Sequence, residues 1–288
     1  MDVFKQVFGV VAGVFGLAGN GLVFLALWRM KNGWHQLNLQ MTWVIAGIST
    51  LCCLVVMAWS VSLLALGAGG LMTSPWLCTH AGTLFLILMY TNTVLFSFMA
   101  LDRYFTVVHN RSIKPLLGWL TSLPVIISLA CLLLANAVNY GLAPDPSSTY
   151  CNTTGNGPTT THLRRFMALT SSSSFLNITF CFTAIFFHCR KTLAIFNTMP
   201  RHCLVILVAY QLSALPNLIT SFWELLSNAT PPTLHLLNFF GVLLLQPLHP
   251  CLILGFQSAL RREICHLRRI ICSHPNRSQP TSHYSTLP

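Results

Sequence analysis

The sequence predicts an all-α membrane protein, a seven-transmembrane helix bundle with a short amphipathic helix after span seven. Composition is the first reason, because 54% of the 288 residues are hydrophobic and only 7% are charged, with a mean hydropathy of +0.65. A soluble domain of this length would have about a quarter of its residues charged. Distribution is the second reason, since the apolar residues fall into seven stretches that are each long enough to cross a bilayer.

The seven apolar spans have lengths that suit tilted helices. In chain order they are Val7–Trp28, Leu39–Leu66, Trp76–Val108, Leu116–Tyr140, Phe166–Phe187, Cys203–Leu226 and Thr233–Phe256. After them, Phe256, Leu260 and Ile264 recur at every fourth position between basic residues. This pattern is typical of a helix that lies along the inner membrane face. We therefore assign 1–264 to the membrane domain and expect the polar, Pro-containing tail, 265–288, to be disordered.

Basic residues predict the orientation of the chain. Of the 16 Lys and Arg residues, only Lys5, Arg164 and Arg165 fall on the side of the N-terminus. The positive-inside rule then places the N-terminus outside and the tail in the cytoplasm of a multi-pass plasma-membrane protein. The net charge of +11 is a rim that faces anionic membrane lipids and requires no nucleic acid as a partner.

Two cysteines on the extracellular side predict a disulfide. Cys78 begins the third span, and Cys151 lies in the loop before the fifth. Both face the oxidising side of the membrane, so we expect a Cys78–Cys151 bond that holds this loop across the helix ends.

Four further residues are candidates for modification. Asn152 and Asn228 begin Asn-x-Thr sequons that face outward, and each is a candidate for glycosylation. Cys265 and Cys272 flank basic residues after span seven and are candidates for palmitoylation, with a free cytosolic thiol as the alternative.

An acid and a base stand side by side at the end of the third span. Arg103 follows Cys78 by 25 residues, or roughly 37 Å of helix, so Asp102 and Arg103 lie at the opposite membrane face from the cysteine. Charges near lipid cost free energy, which favours a functional role for this pair. The alternative is an interfacial anchor whose side chain reaches out to water.

These features resemble the rhodopsin-like (class A) G-protein-coupled receptors, from Val7 to about Arg269. Besides seven spans in this orientation, the resemblance rests on Asn20 in Gly19-Asn20-Gly21-Leu22-Val23, the Cys78/Cys151 pair and Asp102-Arg103-Tyr104. Within the class, the stretch from Ala100 to His109 is most similar to the hydroxycarboxylic acid and oxoeicosanoid receptor branch.

The resemblance implies a receptor that passes an extracellular or lipid-borne signal to a heterotrimeric G protein. Arg103 would swing from Asp102 towards the G protein on activation, and Tyr104 completes the coupling motif. Pro216 and Pro250 match the prolines that kink spans six and seven in the family.

The sequence departs from the family at the residues that set the balance between the inactive and the active state of the receptor. Gly47 aligns with the span-two acid that holds a sodium ion, so we expect no sodium site. Ala214 replaces the Trp before Pro216, and His249 and Ile253 replace the Asn and Tyr of Asn-Pro-x-x-Tyr. Two interpretations stay open. One is a divergent receptor with some ligand-independent activity; the other is a seven-helix protein that does not signal and instead forms heteromers or sequesters a ligand.

Candidate ligand contacts lie towards the outer ends of the spans. They are Met89, Tyr90, Asn217, Trp223, His235 and Asn238, with Glu224 near the outer end of span six and Arg164 and Arg165 at the mouth. For Met89, Asn217 and Asn238 the alternative is helix packing or an inter-helix hydrogen bond. In the hydroxycarboxylic acid branch an Arg at the position of Met89 binds the carboxylate, and a thioether cannot. The apolar lining and basic mouth favour an unknown small or lipid-like ligand.

Other classes of function find less support in the sequence. A transporter would need paired intramembrane charges, broken helices or an inverted repeat. An enzyme would need a convergent catalytic set, whereas His80, His235 and His249 are scattered. No His/Cys set has the spacing of zinc ligands, so we expect neither a metal nor a cofactor.

Overall fold

The computed structural model describes residues 2–30, 37–71, 75–139, 142–144, 151–153, 158–192, 199–227, 231–256, 260 and 262–266. Within them, seven long helices follow one another: α1 Asp2–Arg29, α2 Leu37–Leu71, α3 Pro75–Val108, α4 Pro115–Asn139, α5 Pro158–Thr192, α6 Met199–Leu226 and α7 Pro232–Phe256. Four of them begin at a proline, which has no N–H to leave unpaired in the first turn. The predicted seven-helix bundle is confirmed.

The outer surface of the bundle is apolar. Six of the described helices, α1 to α5 and α7, are long and apolar enough to cross a membrane. Helix α6 has 28 residues and packs against both α5 and α7. On α4 the exposed large side chains are Leu116, Leu117, Leu120, Leu123, Ile127, Leu134 and Val138. A continuous belt of this kind needs lipid to cover it, so the chain is a multi-pass membrane protein.

Two groups of buried side chains hold the helices together. We call the end of the bundle near Cys78 the outer end and the end near Arg103 the inner end. Around Phe96, in the inner half, α1, α2, α3, α5, α6 and α7 contribute to one cluster. Around Tyr90, in the outer half, a second cluster includes both cysteines of the disulfide. Helix α3 runs through both clusters and links the two ends.

A small β-hairpin covers part of the outer end, where the sequence predicts only a loop. Strand β1, Leu142–Pro144, pairs antiparallel with β2, Cys151–Thr153. The Cys78–Cys151 disulfide joins β2 to α3 with a Cα–Cα distance of 5.5 Å. The Leu142 N–H donates to Thr79 Oγ1 at 3.1 Å. Because strands this short are not stable alone, the hairpin depends on these ties to α3.

Part of the predicted amphipathic helix lies within the described residues after α7. Residues 260 and 262–266 are helical. Leu260 is fully buried in the inner cluster, and Ile264 packs against it. The remainder of the predicted tail, including Cys272, lies outside the described residues, as does the sequon residue Asn228.

Candidate functional site

The Asp102-Arg103-Tyr104 motif lies at the inner end of α3. The Asp102 side chain is buried, and its Oδ1 accepts a hydrogen bond from the Ile113 N–H at 3.0 Å. Arg103 is half-buried. The carboxylate therefore holds the connection between α3 and α4 against the end of α3, beside the arginine.

Aromatic rings surround the third residue of this motif. The Tyr104 ring lies 5.4 Å from that of Phe180 in α5 and 5.2 Å from that of His109. Its hydroxyl is 3.2 Å from His109 Nε2. Asn110, the residue after His109, has a φ of 53°, a left-handed conformation that asparagine tolerates better than most residues. This turn leads the chain back so that Ile113 reaches Asp102.

A buried polar cluster lies at the middle of the bundle. Asn92 Nδ2 donates to Ser49 Oγ at 2.8 Å and lies 3.1 Å from His249 Nδ1, so α2, α3 and α7 meet at one amide. Asn92 precedes Arg103 by 11 residues, about three helical turns, and therefore faces the same side of α3. That spacing could have revealed Asn92 in the sequence.

The α2 residue in this cluster is Ser49, so our alignment of Gly47 is wrong. A Cβ on Gly47 would contact Phe24 of α1 at 3.7 Å, which places Gly47 on the other side of α2. Two residues correspond to a rotation of about 200° around a helix. Ser49, Asn92 and His249 provide no negative charge, so they do not fit a sodium ion, which favours carboxylate oxygens.

The His249 ring links this polar cluster to the inner aromatic residues. It lies 5.5 Å from the Phe96 ring and 5.7 Å from the Tyr210 ring, measured between centroids. Its Nε2 and the Oδ1 of Asn92 are buried without a hydrogen-bond partner in the described structure. Ile253, one turn further along α7, is fully buried in the apolar cluster. His249 therefore makes a polar contact with Asn92 and ring contacts with Phe96 and Tyr210, whereas Ile253 makes apolar contacts.

A cavity opens inside the outer half of the bundle, between α2, α3, α6 and α7. The cavity has a volume of about 70 Å³. Five of the candidate residues line it: Met89, Tyr90, Asn217, Glu224 and Asn238. Phe85, one turn before Met89, also lines the cavity, as do Thr220 and Ser221, and none of the three was predicted from the sequence. Thr220, Ser221 and Glu224 follow Asn217 at three, four and seven residues, a helical periodicity that could have revealed them.

Other candidates lie away from the cavity. Trp223 is 44% exposed on α6, because it is rotated by about 120° from the face that carries Asn217 and Glu224. His235 is buried about one turn above Asn238, but it is not part of the cavity lining. Neither Arg164, which is half-buried, nor the exposed Arg165 lines the cavity.

The remaining candidate residues have the following positions. Pro216 and Pro250 lie inside α6 and α7. Asn152 lies in β2, opposite Ala143. Cys265 is exposed. Within the described residues, no group of three or more His, Cys, Asp and Glu side chains could hold a metal ion.

Comparison with known proteins shows the fold. No protein-family model matches the sequence. No curated protein matches it either. Among solved structures, the crystal structure of squid rhodopsin is similar, with a TM-score of 0.67 and 15% sequence identity over 96% of this chain and 88% of that one. The fold of this chain is therefore a rhodopsin-like bundle of transmembrane helices.

Proposed function

We propose that this protein is a G-protein-coupled receptor that binds a small or lipid-like ligand at its outer end and a heterotrimeric G protein at its inner end. The observation that carries the proposal is Arg103, a half-buried cation held at the inner end of α3 beside Asp102. An arginine placed at the mouth of an opening cleft can exchange an internal partner for a partner protein. The positive-inside rule places the inner end of the bundle in the cytoplasm, where a heterotrimeric G protein could reach Arg103.

Helix α3 offers a physical connection between the two ends. Tyr90 lines the outer cavity. Asn92, about half a turn further in, and Phe96, nearly two turns further in, contact the α7 side chain of His249. Arg103 lies roughly 20 Å from Tyr90 along the helix. A ligand that moves α6 or α7 relative to α3 would therefore change the surroundings of His249 and bias the arrangement at Arg103.

We expect some activity without ligand. The buried Asp102 carboxylate already accepts a hydrogen bond from the Ile113 backbone N–H. The polar cluster at Asn92 contains no carboxylate and so does not offer the ligands that usually bind a cation. Fewer restraints on the resting state raise the population of the active state.

The test is nucleotide exchange with the full chain in lipid nanodiscs, screened across heterotrimeric G-protein types. We expect exchange above that of empty nanodiscs with at least one type, and its loss in Arg103→Ala. Arg29→Ala is the matched control, since Arg29 is an exposed cation in the last turn of α1. The proposal fails if no G protein responds and Arg103→Ala changes nothing.

That negative result would favour the alternative, a seven-helix protein that acts by forming heteromers or by sequestering a ligand. One observation favours this alternative: His249 and the buried Ile253 stand where the family has polar α7 residues. An assay of solute uptake into liposomes would distinguish both the receptor and the non-signalling protein from a transporter.

A further inference from the structure

We propose that His249 is a proton-binding site that regulates this protein, so that acid favours an open arrangement in which α6 has moved away from α3 and α7. The inference rests on the proposed function and names a regulation of the same helix bundle. It requires a ring that is neutral where the described structure places it and that gains a proton once water reaches it.

The surroundings of the ring provide for only one of its two nitrogens. His249 is 4% exposed, and its Nδ1 lies 3.1 Å from Nδ2 of Asn92, the amide that also donates to Ser49. Its Nε2 is buried with no hydrogen-bond partner in the described structure. A protonated imidazole donates from both nitrogens, so one charged N–H would have no acceptor in this position. The described arrangement therefore selects the neutral ring.

The titratable side chains near this part of α7 do not compensate a charge on the ring. The Tyr210 ring faces it from α6, with centroids 5.7 Å apart. On α2, the sulfur of Cys53 lies 3.7 Å from Oε1 of Gln246, about one turn before His249. Tyrosine and cysteine side chains are ordinarily uncharged at neutral pH, so neither provides the anion that would hold a proton on the ring.

Formally charged residues on the neighbouring helices lie far from the ring. Helices α2 and α7 contain no Asp, Glu, Lys or Arg, and the charged residues of α1 lie in its first and last turns. On α3, Asp102 follows Asn92 by ten residues, or roughly 15 Å of helix. On α6, Glu224 follows Tyr210 by 14 residues, or roughly 21 Å. A charge on the ring therefore gains little from the described arrangement and needs water instead.

Movement of α6 gives water access to the ring. Phe96 of α3 lies 5.5 Å from the His249 ring and 5.3 Å from the Tyr210 ring, so one ring from each of three helices closes this position. Separation of α6 from α3 removes Tyr210 from the group and opens a path from the inner end. The open arrangement binds a proton more strongly than the described one, and by linkage acid raises its population. Because the path begins at the inner end, the controlling pH is that of the cytoplasm.

The expected size of the response follows from these two states. A hydrated histidine has a pKa of about 6.5. With the ring neutral in the described arrangement, the ratio of open to described molecules grows as one plus the ratio of protonated to neutral imidazole in water. Between about pH 7.5 and about pH 5.5 that factor rises roughly tenfold.

A distance measurement between spin labels tests the proposal on the full chain in lipid nanodiscs. The labels are attached to Val107→Cys and Val205→Cys, exposed positions towards the inner ends of α3 and α6, with the other accessible cysteines changed to serine. We expect the ratio of long to short distances to rise roughly tenfold between about pH 7.5 and about pH 5.5. A distance distribution that does not change with pH would overturn the proposal.

Substitutions of histidine locate the response. His249→Gln can still meet Asn92 but cannot take up a proton, so we expect the pH response to disappear. His162→Gln is the matched control, because His162 is an exposed histidine near the outer end of α5, and it should keep the full response. A response that survives in His249→Gln would refute the role of this ring. If His249→Gln does not fold, His249→Asn takes its place; if neither folds, the unchanged chain decides alone.

The outcome can be separated from that of the proposed function. The distance measurement needs no G protein, so a failure of nucleotide exchange leaves the response to pH readable. Conversely, exchange that depends on Arg103 in a protein whose helices do not respond to pH refutes only the proton site.

Discussion

At Gly241 the backbone of α7 lies against the backbone of α6, and this contact allows a quantitative prediction. A Cβ built on Gly241 of α7 would lie 2.4 Å from the backbone oxygen of Ser213 in α6. Ordinary contacts are about 3.4 Å or more, so α6 and α7 must separate by roughly 1 Å in Gly241→Ala. The clash is with main-chain atoms of a helix, which cannot rotate away as a side chain would. Overpacking of this kind costs about 1–3 kcal/mol.

Gly21→Ala is the matched control for that substitution. A Cβ on Gly21 has nothing within 4 Å, and Gly21 also lies inside a transmembrane helix. Both substitutions gain the same helix propensity of about 0.5–1 kcal/mol, so their difference isolates the clash. At about 2–4 °C per kcal/mol, Gly241→Ala should unfold several degrees below Gly21→Ala.

Labelling of buried thiols by a maleimide dye on heating supplies the assay. Among the described residues, three free cysteines are buried in the folded protein and become reactive when it unfolds: Cys52, Cys53 and Cys181. Equal unfolding temperatures for Gly241→Ala and Gly21→Ala would show that α6 and α7 do not approach as closely as described. The reasoning from the Ser213 carbonyl would then be refuted.

Three further predictions follow from other contacts. Cys151→Ser should destabilise the outer end by about 2–5 kcal/mol and lower the unfolding temperature, whereas an unchanged value would mean that the disulfide is dispensable. Asn92→Leu should cost about 1–3 kcal/mol by leaving the buried ring of His249 without its amide partner, and Asn139→Leu at an exposed position should not. Asn152→Gln should remove one glycan, seen as a mobility shift on gels of protein from a glycosylating host; a glycan at Asn110 instead would reverse the orientation that we infer.

Local properties of the sequence determine the number of helices and the disulfide. A chain in lipid must satisfy its backbone hydrogen bonds internally, so each apolar stretch of sufficient length becomes a helix. Cys78 and Cys151 pair in the structure because both lie at the outer end. The hairpin was not predictable in the same way, since β1 and β2 are too short to form without the ties to α3.

The rotation of each helix about its axis is what only the tertiary structure decided. It places Ser49 rather than Gly47 beside Asn92, turns Trp223 away from the cavity and brings Glu224 into its lining. In a soluble helix, the apolar face reveals this rotation because the opposite face is polar. In a bilayer, the face towards lipid and the face towards the core are both apolar, so hydropathy leaves the rotation undetermined. Packing against neighbouring helices sets it instead.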